Sequence, residues 1–430
     1  MNELLTRVYQ AFDPAPLGAD EQTLYVDLDA VRGEGNVVGR LANKIRLSRE
    51  STCQLLTGHR GSGKSTELRR LERVLETDDP RYFVVFVESR SDLDLNDVDF
   101  PEVLIATISQ TASQLKRRLD ISLKPGYLKD RLQRLKKLLG SEVEFQGVEL
   151  GTELFKLSGT LKNSPDARDE VRRALEPDTN NLLNAANDVL GEAKLKLKQK
   201  GYHDLVIIFD DLDHMVLRPH PGAGCSTAEY LFVHRHAQLS GFQCHTVYSM
   251  PLALAYSSQE AKITNLYGAR PPVVPMTKIS TKPPGSKPYK PGVDLFLAIV
   301  GKRLQRAGAT ESDVFARGVL PRLVQLSGGQ PRELMILIRE ALIGGDLPIQ
   351  NEAVDRAARE GARAYARQLA EEHTAILKQV RKNGVLKRTR ANEETVRELL
   401  DSRAVLQYVN EDEWYAVNPL IPQVRTRKTK

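Results

Sequence analysis

Residues 51–279 of this 430-residue chain are expected to fold as an α/β domain, a parallel sheet with helices on both faces. A helical insertion, a helical lid and a C-terminal unit of helices and a hairpin should complete the chain. Three features carry this expectation. Short apolar runs alternate with helical periods, the signature of parallel strands joined by helices. The run Leu205–Phe209 is apolar throughout, as a strand covered on both sides must be. A glycine-rich loop joins the first run to a helix.

The elements follow in order. An N-terminal segment, 1–50, leads into the sheet, and Tyr25–Leu28 reads as an extra strand. The main strands are predicted at 53–57, 82–88, 204–209, 243–249 and 272–278, with helices at 64–77, 101–118 and 228–239. The second and third strands lie far apart, so about 119–200 is taken as the insertion. It reads as a basic helix at 127–139, a short hairpin near 143–157, and helices at 166–175 and 178–199, the last capped by Asp178. Residues 280–292 hold four prolines and read as a linker. Helices at 292–307, 317–326 and 331–343 make a lid, 292–350. The remainder, 351–430, is helical over 352–383 and 393–402, then forms strands 405–409 and 413–417 joined by Asn410–Asp412.

Composition narrows the function. Apolar residues (41%) and charged residues (27%) are ordinary for a globular chain, which argues against wholesale disorder. Three scattered cysteines are too few for a disulfide framework or a zinc site. No apolar run is long enough to span a membrane, and the start shows no secretory pattern, so a cytoplasmic protein without membrane contact is expected. The net charge is +6, but residues 115–139 carry +7 and residues 373–430 carry +5, leaving −6 on the rest. Segregation of this kind fits either an acidic partner, including nucleic acid, or solvated helix faces.

The sharpest chemical signal is Gly58-His59-Arg60-Gly61-Ser62-Gly63-Lys64-Ser65, followed by Thr66. Its glycines let backbone amides turn inward around anionic oxygens. Lys64 is placed to reach the β/γ-phosphates, Ser65 to ligate Mg²⁺, and the helix start to face the phosphates. A second acidic signal ends the third strand, at Asp210-Asp211. Asp210 would complete the Mg²⁺ shell, and Asp211 would orient or deprotonate an attacking water. Asp213 reads as a helix cap or fold contact. The histidines show no metal-binding spacing, and His234 and His236 read as surface residues.

These motifs resemble the AAA+ and STAND groups of P-loop ATPases, in particular the origin-recognition-like and NACHT-like branches. The resemblance implies ATP and Mg²⁺ as cofactors. It implies that Ser249 senses the γ-phosphate or water, and that Arg270 acts as a finger for a neighbouring subunit's nucleotide. In the lid signature Gly328-Gly329-Gln330-Pro331-Arg332, Pro331 would pack near adenine and Arg332 would read the γ-phosphate. Val37-Val38-Gly39-Arg40 resembles the short box that holds adenine. About 140 residues separate the two phosphate-site motifs, roughly twice the expected interval, so the insertion's role does not transfer.

The C-terminal unit resembles a winged helix. The helix that would enter DNA, Glu393–Asp401, carries four acids and one arginine, which is electrostatically wrong for a polyanion. The unit is therefore expected to pack on the sheet domain or a partner. Any DNA contact falls to the unit's other face, with Arg381, Lys382, Lys387, Arg388 and Arg390, to the tail Arg425, Arg427, Lys428 and Lys430, or to the basic helix at 127–139. The resemblance thus implies a switch ATPase that assembles as a homo- or hetero-oligomer. It would control an effector or sensor protein, as in bacterial conflict and anti-phage systems. The alternative is a DNA-binding initiator- or loader-like ATPase.

Overall fold

The computed structural model describes residues 3–18, 21–33, 35–124, 150–176, 179–283, 285–410 and 412–422, with the side chains of 150–153 outside the description. The predicted basic helix at 127–139, residues 143–149 of the predicted hairpin, Asp178 and the basic tail lie outside the described residues.

The sheet is five parallel strands in the order β2-β3-β4-β1-β5. They are β1 (Cys53–Gly58), β2 (Phe83–Glu88), β3 (Leu205–Asp210), β4 (His245–Ser249) and β5 (Val273–Val274). Alternating side chains feed two separate cores. Val85, Val87, Ile207 and Phe209 point to one face. Val84, Phe86, Val206 and Ile208 point to the other, under α2 (Val37–Leu47) and α3 (Lys64–Thr77). In register, Glu88 lies beside Asp210 and Leu56 beside Ser249, so the loop after β1 and the acidic end of β3 sit at the same sheet edge.

Several expectations are corrected. Tyr25–Leu28 forms no strand; a 3₁₀ turn at Gln22–Leu24, closed by the Tyr25 amide on the Gln22 carbonyl, precedes an irregular segment, and Lys302 donates to the Tyr25 carbonyl. The last sheet strand covers only two residues, because Thr277 turns away to pair with the lid at Gly329. Residues 150–157 are helical, within Leu150–Asn163, not a hairpin. The helix expected at 228–239 is broken by a π-turn at Tyr230–His234. The proline-rich stretch is pinned rather than a free linker: Ser280 bridges Pro288, and the Thr281 amide donates to the Lys287 carbonyl.

The chain ends converge on the sheet edge. The N-terminal helix α1 (Glu3–Ala11) packs on the lid helix Lys290–Ala307, where Arg7 Nε donates to the Ala307 carbonyl at 3.1 Å. The other lid helices include Val319–Leu326 and Pro331–Leu342. The C-terminal hairpin, β6 (Val405–Asn410) and β7 (Asp412–Val417), docks on the sheet domain. Leu406, Tyr408 and Trp414 form a buried cluster with Met276, and Tyr408 and Trp414 stack at 4.1 Å. The Met276 amide donates to the Gln407 carbonyl, and Tyr408 Oη donates to the Gly328 carbonyl at 2.7 Å. The acidic helix Glu393–Asp401 also faces inward: Val396, Leu399 and Leu400 are buried, and Glu393 accepts from the Ser258 amide.

Trp414→Ala should remove this seat and destabilise the protein by about 3–5 kcal/mol, the usual cost of truncating a buried aromatic. Urea unfolding followed by circular dichroism checks this; an unchanged midpoint would contradict the docked hairpin.

Candidate functional site

The loop after β1 is shaped by its glycines. Gly61 and Gly63 have φ of 85° and 103°, and a Cβ on Gly58 would come within 2.4 Å of the Val274 carbonyl oxygen. Only glycine allows that approach. Helix α3 starts at Lys64 without a side-chain cap, so its first amides face the loop's hollow.

Lys64 is buried. Its Nζ donates to the Gly58 and His59 carbonyls at 2.8 and 2.9 Å and lies 2.9 Å from Asp213 Oδ2. Asp213 is thus the counter-ion of the loop lysine, a larger part than the cap or fold contact expected. Burial alone would raise its pKa, but Lys64 holds it below the ordinary carboxylate value. The Ser65 hydroxyl lies near the Asp210 carboxylate and favours its ionised form, and the Asp211 amide donates to Asp210 Oδ1 at 2.8 Å. Asp210 is buried beside two other carboxylates, and its pKa is pushed up to about 7, first by burial and then by Asp211 and Asp213. A hard-oxygen pair of serine and aspartate with surplus negative charge fits a magnesium ion. Asp211 has a left-handed backbone, φ 66°, and its carboxylate lies 3.4 Å from both Arg90 Nε and His214 Nε2.

A cavity of about 310 Å³ opens between this edge, the N-terminal segment and the lid. Gly61, Gly63, Lys64, Ser65, Thr66 and Asp211 line one end, and Pro331 and Arg332 reach it from the lid. Arg332 packs on the loop so closely that a Cβ on Gly61 would lie 3.2 Å from the Arg332 Cβ. The rest of its wall includes residues 13–17 and Leu24, Leu28, Ile299, Arg303 and Met335.

Other predicted residues lie elsewhere. Arg40 does not line this cavity; α2 packs on α3, which places Arg40 in a separate hollow with Arg270. The apolar wall comes instead from the irregular segment around Leu24–Leu28. Arg270 is exposed and pairs with Glu260 at 2.8 Å. Ser249 is fully buried, its hydroxyl accepting from the Asp213 amide at 3.4 Å, so it braces the turn after β3. His59 points away from the hollow: its Nε2 accepts from the Gln407 amide in β6 at 3.0 Å. Burial, then Lys64, drives the His59 pKa down to about 3, so it is a neutral acceptor. Ser62 turns its carbonyl to Arg32, and Arg60 lies near Asp401 and Asp213.

Sequence reasoning missed a clamp on the loop. Arg32 is buried; it donates to Glu67 Oε1 at 2.7 Å and to the Ser62 carbonyl at 2.5 Å. Tyr25 and Arg70 also approach Glu67. Arg32 lies 35 positions from Glu67 and 30 from Ser62, and Tyr25 lies 42 from Glu67, so no motif marks them. Away from the cavity, the π-turn brings His234 to Cys225 and Glu229, with ligating atoms within 4.8 Å of one another.

No family model and no curated protein matches the chain. Among solved structures it is similar to a Walker-type ATPase of Pyrococcus abyssi (16% identity, 95% of this chain and 98% of that one, TM-score 0.49). It is also similar to the ORC2 protein of Aeropyrum pernix in ADPNP–ADP complexes (13%, 93% and 94%, 0.42) and to Cdc6p from Pyrobaculum aerophilum (13%, 96% and 94%, 0.39). The reading of the site rests on this chain's own geometry.

Two outcomes check that geometry. Arg32→Met leaves Glu67 buried beside Arg70 alone and should cost about 3–5 kcal/mol, with Arg32→Met/Glu67→Leu recovering part of it; additive losses in urea unfolding would deny the pair. Asp210 binds its proton more tightly folded than unfolded, so its stabilisation is complete below its unfolded value of 3.8 and is lost as pH rises through about 7. The unfolding midpoint of the nucleotide-free protein should fall across that window, and Asp210→Asn should flatten the slope.

Proposed function

We propose that the chain binds and hydrolyses a nucleoside triphosphate, ATP, and that nucleotide occupancy sets how the lid and hairpin sit on the sheet domain. The observation that carries this is convergence: Lys64, Ser65, Asp211 and the lid's Arg332 line a single cavity, with Asp210 close to Ser65. The loop amides and Lys64 would hold the β/γ-phosphates. Lys64 then shares its charge between phosphate and Asp213. Ser65 and Asp210 would hold a magnesium ion, which supplies charge neutralisation at the phosphate oxygens. Asp211 would orient or deprotonate the attacking water, and its pKa, raised first by burial, favours the proton-accepting task near neutral pH. Arg332 would meet the γ-phosphate across Gly61, tying the lid to the reaction.

The link to the hairpin is His59, whose ring sits between the loop and Gln407. A shift of the loop changes that bond, and with it the surface a partner protein meets. In this reading the oligomer and the effector are read out through lid and hairpin, with Arg270 exposed for a neighbouring subunit.

A second reading, a DNA-contacting initiator- or loader-like ATPase, is supported by the order helix His373–Asn383, helix Glu393–Asp401, hairpin, which is that of a winged helix. Against it stands the use of that helix and hairpin for internal packing.

Turnover of ATP by the purified protein separates these readings. Lys64→Ala should lower it about 100-fold or more, Asp211→Asn should lower it with binding retained, and EDTA should abolish it. Turnover equal to that of Lys64→Ala would sink the ATPase reading. Strong stimulation by duplex DNA, lost steeply with salt, would put the initiator-like reading first.

A further inference from the structure

Arg303 lies on the lid helix Lys290–Ala307, one turn beyond Ile299, and lines the cavity. It is only 6% exposed, yet its Nε and Nη1 are buried and donate to no acceptor among the described residues. Its electrostatic neighbours are Glu21, Arg306 and Asp13, none of them within ion-pair distance. Glu21 is instead engaged with Arg306, and the nearby Lys302 donates to the Tyr25 carbonyl. Lys64, Asp211 and Arg332 are not among those neighbours, so the residue sits on the cavity wall apart from the glycine-rich loop; Leu17, Leu24, Leu28, Ile299 and Met335 line the same cavity.

A buried guanidinium without an acceptor is costly, and burial already pulls its pKa down. Such a group is a binding site awaiting acceptors. Guanidinium has five N–H donors and no acceptor, in a planar fork. The molecule that enters must bring lone pairs to an otherwise apolar wall.

We infer that Arg303 reads the nucleobase, donating to ring-nitrogen or carbonyl acceptors on its edge. This rests on the nucleotide reading of the same cavity. The phosphates are accounted for by Lys64 and Arg332, so the acceptors left for Arg303 belong to the base. Adenine offers isolated ring nitrogens; guanine offers O6 and N7 side by side, the pair a guanidinium fork matches. The apolar walls take the ring faces, and Arg303 fixes which edge points inward.

The test is calorimetric binding of ATP, GTP and inorganic tripolyphosphate to the full chain and to Arg303→Met. Loss of a charge-assisted hydrogen bond should weaken nucleotide binding about 10- to 100-fold, while tripolyphosphate, which has no base, binds as before. A larger loss for GTP identifies guanine as the base read, and a larger loss for ATP identifies adenine; either supports the assignment. The nucleotide-free variant should unfold at the same or higher urea than the parent, because the change removes an unpaired buried charge. A destabilised Arg303→Met with unchanged ATP affinity would overturn the inference and make Arg303 structural, and equal weakening of ATP and tripolyphosphate would place it on the phosphates. Arg303→Gln, which keeps a donor, should retain part of the affinity. If the parent binds tripolyphosphate and no nucleotide, both the base reading and the nucleotide reading fall; if it binds ATP and Arg303→Met binds it equally, only the base reading does.

Discussion

An ammonium taken out of water must be met by an anion, and at Lys64 that requirement organises the whole sheet edge. The anion is Asp213, supplied from the turn after β3, and two loop carbonyls complete the lysine's donors. Placing Asp213 there forces the intervening turn into its left-handed kink at Asp211 and packs three carboxylates into a small volume. One of them, Asp210, is then left with more negative charge around it than it can hold alone. The electrostatic surplus that suits a magnesium ion is thus a by-product of how the lysine is buried.

The loop is held from both chain ends. Arg32 grips the Ser62 carbonyl from the N-terminal segment, and Gln407 grips His59 from the hairpin. The His59 contact uses a part of the loop turned away from the hollow, whereas Arg32 and Glu67 themselves line the cavity. A Cβ on Gly33 would collide with the Val409 carbonyl, so the N-terminal clamp and the hairpin are also in contact with each other. A glycine-rich loop is intrinsically mobile, and these clamps hold its amides in place before a ligand arrives.

Much of the fold was legible because its signals are local. Short, mostly apolar runs marked β1 to β4, and the Gly58–Ser65 spacing placed the loop between strand and helix. Two short runs rich in β-branched and aromatic residues, VLQYV and EWYAV, joined by Asn410–Asp412, marked the hairpin. What was not legible is relational. Arg32, Glu67 and Arg303 are ordinary charged residues until folding buries them, and no spacing announces that burial. Arg40 misled because a four-residue resemblance says nothing about which way α2 faces. The π-turn at Tyr230–His234 escaped because its apolar residues fit the 3.6-residue period until the extra residue is inserted. Asp213 was undervalued because a third acid after Asp210 and Asp211 looks redundant in one dimension.

The bond between His59 and Gln407 joins positions 348 residues apart. On a ribosome, His59 emerges early and waits for almost the entire remaining chain before its partner exists. The phosphate loop can form its turn in the interval, but its outer face stays bare until the hairpin has been made. Contacts of such long sequence separation slow assembly, since the chain between them must first be ordered. The outer face of the loop is therefore completed only after the hairpin has been made. A ribosome-bound chain stalled before residue 405 would carry the motif without the support that completes it.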